Sequence, residues 1–302
     1  MKRNKIALLS LLLILALLLC ACGEKTAPQE DAETGEITLV AEGQTSGAFV
    51  YSTYSDGSAT ISEYTGDEKT LTIPEELDGK PVRAIGTGCF QNNTATEEIL
   101  LPDTIVRFEE YAFDEALALR TITVPRSVTV IPIGTFTYCS ALEEVILPDT
   151  LTEIGEGAFF SCTSLASITL PDTVTSIGPY CFDECTALRE IVLPDRITEI
   201  PEYAFFQCDS LSSVTLPDGI TSVGDFAFSL CSSLTELTLP DGVTTLDTYV
   251  FSGDEALSSV TVPASVTSIG EGLFAYCDEL TVHCPAGSTI ADYCAANEIP
   301  VE

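Results

Sequence analysis

The sequence predicts a β-rich α/β repeat solenoid: a curved slab of about nine 23-residue coils with a parallel β-sheet on its concave face. Nine phenylalanines, Phe90, Phe113, Phe136, Phe159, Phe182, Phe205, Phe228, Phe251 and Phe274, stand 23 residues apart. Eight prolines, from Pro102 to Pro263, keep the same period. Pairs such as Ile191 and Leu193 lie two apart just before each proline, as inward residues of a strand must. A bulky apolar column over that distance marks a chain coiling on itself, each turn setting its Phe against the one before. An N-terminal β-hairpin cap and a C-terminal short helix cap complete the expectation.

The chain opens on a leader over 1–21. Lys2, Arg3 and Lys5 precede an apolar run, Ile6–Leu19, of signal-peptide length and too short to span a membrane. It ends in Leu19-Cys20-Ala21-Cys22-Gly23. This resembles the lipobox of bacterial lipoproteins, with Leu19 at −3, Ala21 at −1 and Cys22 as the lipidated residue. Residues 22–45 are polar and acidic without a clear period, and read as a flexible tether. Residues 46–70 hold two alternating runs, Ala48–Tyr54 and Ala59–Tyr64, around Asp56-Gly57, a hairpin signal.

The coils occupy 71–281. Pro74 stands 28 residues before Pro102 instead of 23, which predicts a five-residue insertion near Asp78-Gly79-Lys80-Pro81. Within a coil, proline ends the strand because it has no N–H to donate. The aspartate that follows (Asp172, Asp195, Asp218) is a turn residue able to bond nearby backbone N–H groups. Two more inward columns follow, Val174/Ile197/Ile220 and Ile177/Ile200/Val223. Gly155, Gly178, Gly224 and Gly270 mark a bend, and a single helical or 3₁₀ turn carries the core Phe. Residues 282–302 supply the rear cap: a short helix over 288–297 and the strand-like Ile299–Val301.

The unit L-P-x-x-[VI]-T-x-I-G-x-x-A-F-x-x-C-x-x-L-x-x-[IV]-x, over about Leu71–Thr281, resembles the BspA-type (Treponema pallidum type) leucine-rich repeat. The resemblance implies a bacterial cell-surface protein, some relatives being adhesins for host matrix proteins or for other microbes. It names no ligand, because the matching residues are scaffold.

Composition excludes other classes. With 46 acidic and 12 basic side chains, the surface repels nucleic acid and anionic membranes. Membrane attachment is expected through the N-terminal lipid only, and the protein is expected to be a monomer. A lone His283 cannot anchor a Ser- or Cys-based triad, and no phosphate loop is present, so no catalytic residue, cofactor or metal is expected. Cys139, Cys162, Cys185, Cys208, Cys231 and Cys277 share one column, with Ala116 and Asp254 in its gaps. In-register thiols project in parallel, which suits a reduced ladder better than disulfides. Cys284 and Cys294, outside that column, are the pair able to bridge.

Two surfaces remain as binding candidates. Outward positions of the stacked strands read Thr121, Glu144, Ser167, Glu190, Ser213, Glu236, Ser259, with Ile146 and Val192 beside them. The carboxylates of Glu144, Glu190 and Glu236 recur on every second coil, about 10 Å apart, and suit a basic or polar protein partner or a host or microbial surface ligand. Tyr180, Tyr203, Phe226 and Tyr249 form an aromatic column on the outer wall. That column, with the Asp column, also allows a glycan- or calcium-binding module.

Overall fold

Three walls, each bonded to its counterpart one coil away, make up every turn of the chain. A computed structural model describes residues 37–302. The expected leader over 1–21, Cys22 and the tether up to residue 36 lie outside the described residues.

The first wall is a ladder of three-residue parallel strands, among them Glu98–Leu100, Thr121–Thr123, Glu144–Ile146, Glu190–Val192, Ser213–Thr215, Glu236–Thr238 and Ser259–Thr261. Register follows the 23-residue period: Glu144 pairs with Thr121, Glu190 with Ser213, and Glu236 with Ser259. Ser167 joins through an isolated bridge to Glu190. The central residue of a strand points inward and its neighbours outward, so Ile191 and Leu237 are buried while Glu190 and Glu236 are exposed.

After the strand comes a tight turn closed on the proline carbonyl. Ile197 N–H donates to Pro194 at 3.1 Å and Ile220 N–H to Pro217 at 3.2 Å. This corrects the expectation for the aspartate column: no side-chain bond to backbone holds Asp172, Asp195 or Asp218, and the proline carbonyl shapes the turn instead. The second wall follows as two-residue parallel strands, Glu153–Ile154, Ser176–Ile177, Glu199–Ile200, Ser222–Val223 and their equivalents.

The third wall carries the core Phe, and it is not helical. Two residues per coil take left-handed backbone, one on each side of the Phe: Tyr180 (φ 57°) and Glu184 (φ 56°) about Phe182, Tyr203 (φ 56°) and Gln207 (φ 54°) about Phe205. These reversals aim alternate N–H groups along the solenoid axis. Tyr180, Phe182 and Glu184 donate to the carbonyls of Glu202, Ala204 and Phe206 at 3.1, 3.0 and 2.8 Å. Between them, Asp183 and Cys185 N–H groups close local turns on Tyr180 and Phe182. A helical turn would direct every N–H within the coil and leave the wall unbonded to its neighbour.

The Phe rings stack through the core, with centroids 5.2 Å apart for Phe90 and Phe113 and 5.8 Å for Phe228 and Phe251. Each thiol of the Cys column donates to the Phe carbonyl of the preceding coil: Cys162 to Phe136 at 3.2 Å, Cys208 to Phe182 at 3.1 Å, Cys277 to Phe251 at 3.0 Å. The thiols are free, and burial raises the pKa of each. Such a group is a small core donor and is chemically inert. Cys284 and Cys294 are free as well.

The repeated glycines serve close approach. A Cβ on Gly224 would stand 2.6 Å from the amide nitrogen of Glu202 in the coil before, and one on Gly155 would stand 2.8 Å from that of Ile133. Neither glycine has positive φ.

At the front, β1 (Leu39–Ser46), β2 (Phe49–Tyr54) and β3 (Ala59–Tyr64) form an antiparallel meander, and β3 pairs in parallel with Lys80–Ile85. The folded unit therefore begins at Leu39, inside the segment expected as tether. The tether reading missed β1 because its side chains are mostly exposed and carry no apolar alternation. Phe49, Tyr64 and Phe90 lie in ring contact at 5.4 and 5.5 Å, carrying the Phe column into the cap. The insertion is a two-residue turn, Asp78 (φ 50°) and Gly79 (φ 76°), between Glu76–Leu77 and Lys80–Ile85. Tyr51 hydroxyl donates to Asp78 at 2.7 Å and pins it to β2.

At the rear, α1 (Thr289–Ala296) starts on Ser288, whose hydroxyl oxygen accepts from Ala291 N–H at 3.3 Å. Tyr293 lays its ring on Phe274 with centroids 6.5 Å apart, and its hydroxyl accepts from Leu273 N–H at 3.0 Å. Val301 bridges Val282 and ends the first ladder.

Candidate binding surfaces

The first ladder holds its outward residues on an open sheet face. Glu144, Glu190 and Glu236 are all exposed on that face, two coils apart, with Ser167 and Ser213 on the coils between. Alternation keeps like charges about 10 Å apart; neighbours on consecutive coils would repel at half that distance. Two residues after a carboxylate stand exposed aliphatics: Leu100 is 46%, Ile146 49% and Val192 62% accessible. The face therefore offers carboxylates, hydroxyls and a few methyl groups.

The outer wall differs. Tyr180, Tyr203, Phe226 and Tyr249 are half-buried and stack along the axis, with centroids 4.9, 4.9 and 5.2 Å apart. Their faces are turned to one another, so the inner rings of the run present edges to solvent. Beneath them Phe206 meets Tyr203 edge-on at 5.4 Å. Burial, then the charge of Glu202, pushes Tyr203 up to about 12. Burial raises the pKa of Tyr180 in the same way, so both phenols are neutral hydrogen-bonding groups.

Two buried carboxyls escaped sequence reasoning as features of the site. Asp183 is fully buried between Phe160 and Phe206 in its column, with neither carboxyl oxygen hydrogen-bonded. Burial, reinforced by Glu184, raises its pKa well above the ordinary value. Asp254 fills a gap in the Cys column: one oxygen accepts from Cys231 N–H at 2.7 Å, the other has no partner, and burial raises its pKa likewise. The sequence signal was an acid standing alone in an apolar column.

A cleft of about 360 Å³ lies at the rear between the last coil and the cap, lined by Gly272, Phe274, Tyr276, Tyr293 and Ile299 among others. Among the described residues no group of three or more His, Cys, Asp or Glu could hold a metal ion. His283 sits in the last strand of the first ladder, paired with Thr261.

The model of the BspA-type leucine-rich-repeat region matches residues 64–189 and 158–281. No curated protein matches the chain. Among solved structures, a leucine-rich repeat protein from Bacteroides ovatus is similar at 27% identity and TM-score 0.59, over 84% of this chain and 71% of that one. A leucine-rich cell surface protein from Faecalibacterium prausnitzii is 24% identical, with TM-score 0.35, over 83% and 96% of the two chains. The leucine-rich repeat protein of T. pallidum is 24% identical, with TM-score 0.43, over 86% and 97%. The repeat match spans the whole run of coils whose Phe, Cys and Pro columns build the three walls, and the chain belongs to the BspA-type leucine-rich-repeat family.

Proposed function

We propose that this is a lipid-anchored bacterial cell-surface protein, tethered through Cys22, that binds a protein or a host or microbial surface ligand and performs no chemistry. The observation that carries the reading is the open face of the first ladder. Its exposed Glu144, Glu190 and Glu236 recur with the coil period beside exposed aliphatics, on a scaffold whose thiols and buried carboxyls are committed to the core. A face of that kind suits a partner with basic and polar side chains, held by many weak contacts. It repels nucleic acid. A glycan reading of the aromatic run has less support, because sugar rings stack on aromatic faces and here the inner faces cover one another. Calcium on the Asp column has less support, because among the described residues no group of three or more His, Cys, Asp or Glu converges.

Replacing Glu144, Glu190 and Glu236 together by Ser should weaken capture of basic surface proteins from host or bacterial extracts about tenfold, with the melting temperature unchanged. Undiminished capture would place binding elsewhere. The anchor is checked by fatty-acid labelling: Cys22→Ser should abolish incorporation and Cys20→Ser should retain it, and the reverse pattern would move the lipid site.

A further inference from the structure

The aromatic column on the outer wall lacks its ring at two successive coils, Gly134 and Gly157, between Tyr111 and Tyr180. At the position two before the core Phe, every coil is left-handed: Tyr111, Tyr180, Tyr203, Phe226 and Tyr249 are there in five coils, Gly88, Gly134, Gly157 and Gly272 in the others. Glycine takes this conformation without strain, whereas a bulky L-residue there is disfavoured by about 1 kcal/mol. Aromatic side chains are thus present where the backbone prefers glycine, an outlier of the sort that points to a use for the rings.

Each ring leans over the next coil. The Tyr111 ring fills the space above Gly134, and the Tyr249 ring fills the space above Gly272. Gly134 leaves no ring of this column over Gly157, and Gly157 in turn leaves none against the near face of Tyr180. A Cβ placed on Gly157 meets only Phe160 Cβ at 3.8 Å and Thr137 Oγ1 at 3.9 Å. Tyr180 begins the stacked run: Tyr203 lies against one face at 4.9 Å, and on its other side the column continues with Gly157. Glu156 adjoins that glycine, and Glu202 stands two coils further along the same column; both are exposed and electrostatically coupled to Tyr180 and to each other.

The charge around this position is of one sign. From four residues before the core Phe to two after it, the nine coils hold 11 Asp and Glu and no Lys, Arg or His. No cation of the outer-wall segments stands ready to neutralise Glu156. The occupant that suits a flat vacancy with an aromatic wall and a carboxylate rim is planar and cationic. A guanidinium satisfies both conditions, because it stacks on a ring and pairs with a carboxylate at once, whereas an ammonium is a compact, strongly hydrated point charge.

We propose that the ring position Gly157 leaves vacant, against the free face of Tyr180, receives an arginine side chain of a partner protein, its guanidinium stacked on Tyr180 and paired with Glu156. The site rests on the reading that the chain binds proteins, and is separate from the face of the first ladder.

The test uses the full chain in detergent and two fluorescein-labelled peptides of equal charge, (Gly-Arg)₄ and (Gly-Lys)₄, titrated by anisotropy. The Arg peptide should bind about three- to tenfold tighter than the Lys peptide, the range expected for one cation–π contact with its ion pair. Gly157→Tyr fills the position with the side chain that Tyr180, Tyr203 and Tyr249 already hold at the same backbone conformation, and should erase the Arg preference. Tyr180→Leu removes the stacking face without filling the space and should erase it too, which covers the case of Gly157→Tyr failing to fold. The triple Glu144, Glu190 and Glu236 to Ser variant should keep the preference, so loss of the first-ladder reading and loss of this one are told apart. Equal binding of the two peptides, or a preference that survives both Gly157→Tyr and Tyr180→Leu, overturns the assignment.

Discussion

Asp183 lies in a column whose neighbours on both sides are Phe160 and Phe206, and neither of its oxygens has a hydrogen-bond partner; the nearby Glu184 N–H, bonded to Phe206 O, eases its burial without offsetting it. An ionised carboxylate there would be stranded in apolar surroundings, so the folded chain holds the proton and the unfolded chain releases it near 3.8. The folded-state pKa is raised, so the stabilising contribution is complete below about pH 3.8 and is lost as pH climbs towards the folded value. Thermal melts from pH 3 to 9 should show Asp183→Asn gaining on the parent as pH rises above about 3.8, with little gain at pH 3. Parallel curves would mean that Asp183 is solvated as a carboxylate. Asp114, held up to about 6 chiefly by burial and eased by Gln91, contributes in the same direction over a narrower window. A lone acid in an apolar column is visible in the sequence; that it has no partner is visible only in three dimensions. For the same reason the sequence marked Tyr180, Tyr203 and Tyr249 as aromatic candidates without showing that their faces cover one another.

The walls differ in how far a linear pattern reveals them. Strand triplets such as Glu190–Val192 are legible from alternation, and the Phe column from its period. The outer wall was expected to carry the core Phe on a single helical or 3₁₀ turn. What prevails is the requirement that each N–H of Tyr180, Phe182 and Glu184 find a carbonyl on the next coil, which calls for left-handed residues on both sides of the Phe. The glycine column was legible as a special position, but its cause is the approach of neighbouring backbones. Gly224→Ala should therefore cost about 1–3 kcal/mol, the range for overpacking. Gly219→Ala should be nearly neutral, since a Cβ there meets Asp195 O and Ile197 O at 3.6 and 3.7 Å. Denaturant titration of both variants checks the contrast, and equal losses would contradict the close-approach explanation.

Across the whole molecule, coil repetition turns single residues into rows, and rows into surfaces of uniform chemistry. Lys and Arg of the described residues all lie between Lys69 and Arg196, while the last 106 residues, from Ile197 on, hold 16 Asp and Glu and neither Lys nor Arg. That half of the solenoid presents one sign of charge to any approaching partner, which favours cationic ones and speeds their encounter at low salt. The period of 23, the register of the Phe, Pro and Cys columns and the acidic character of the surface were determined by the sequence alone, because each is a property of spacing or composition. Tertiary structure decided where β1 joins the front cap, how the outer wall bonds, which acids are buried without partners and that Gly157 leaves one face of Tyr180 without a ring against it. Those depend on atoms from different coils meeting in space, and a one-dimensional pattern records the recurrence of a residue without recording what fills the gap beside it.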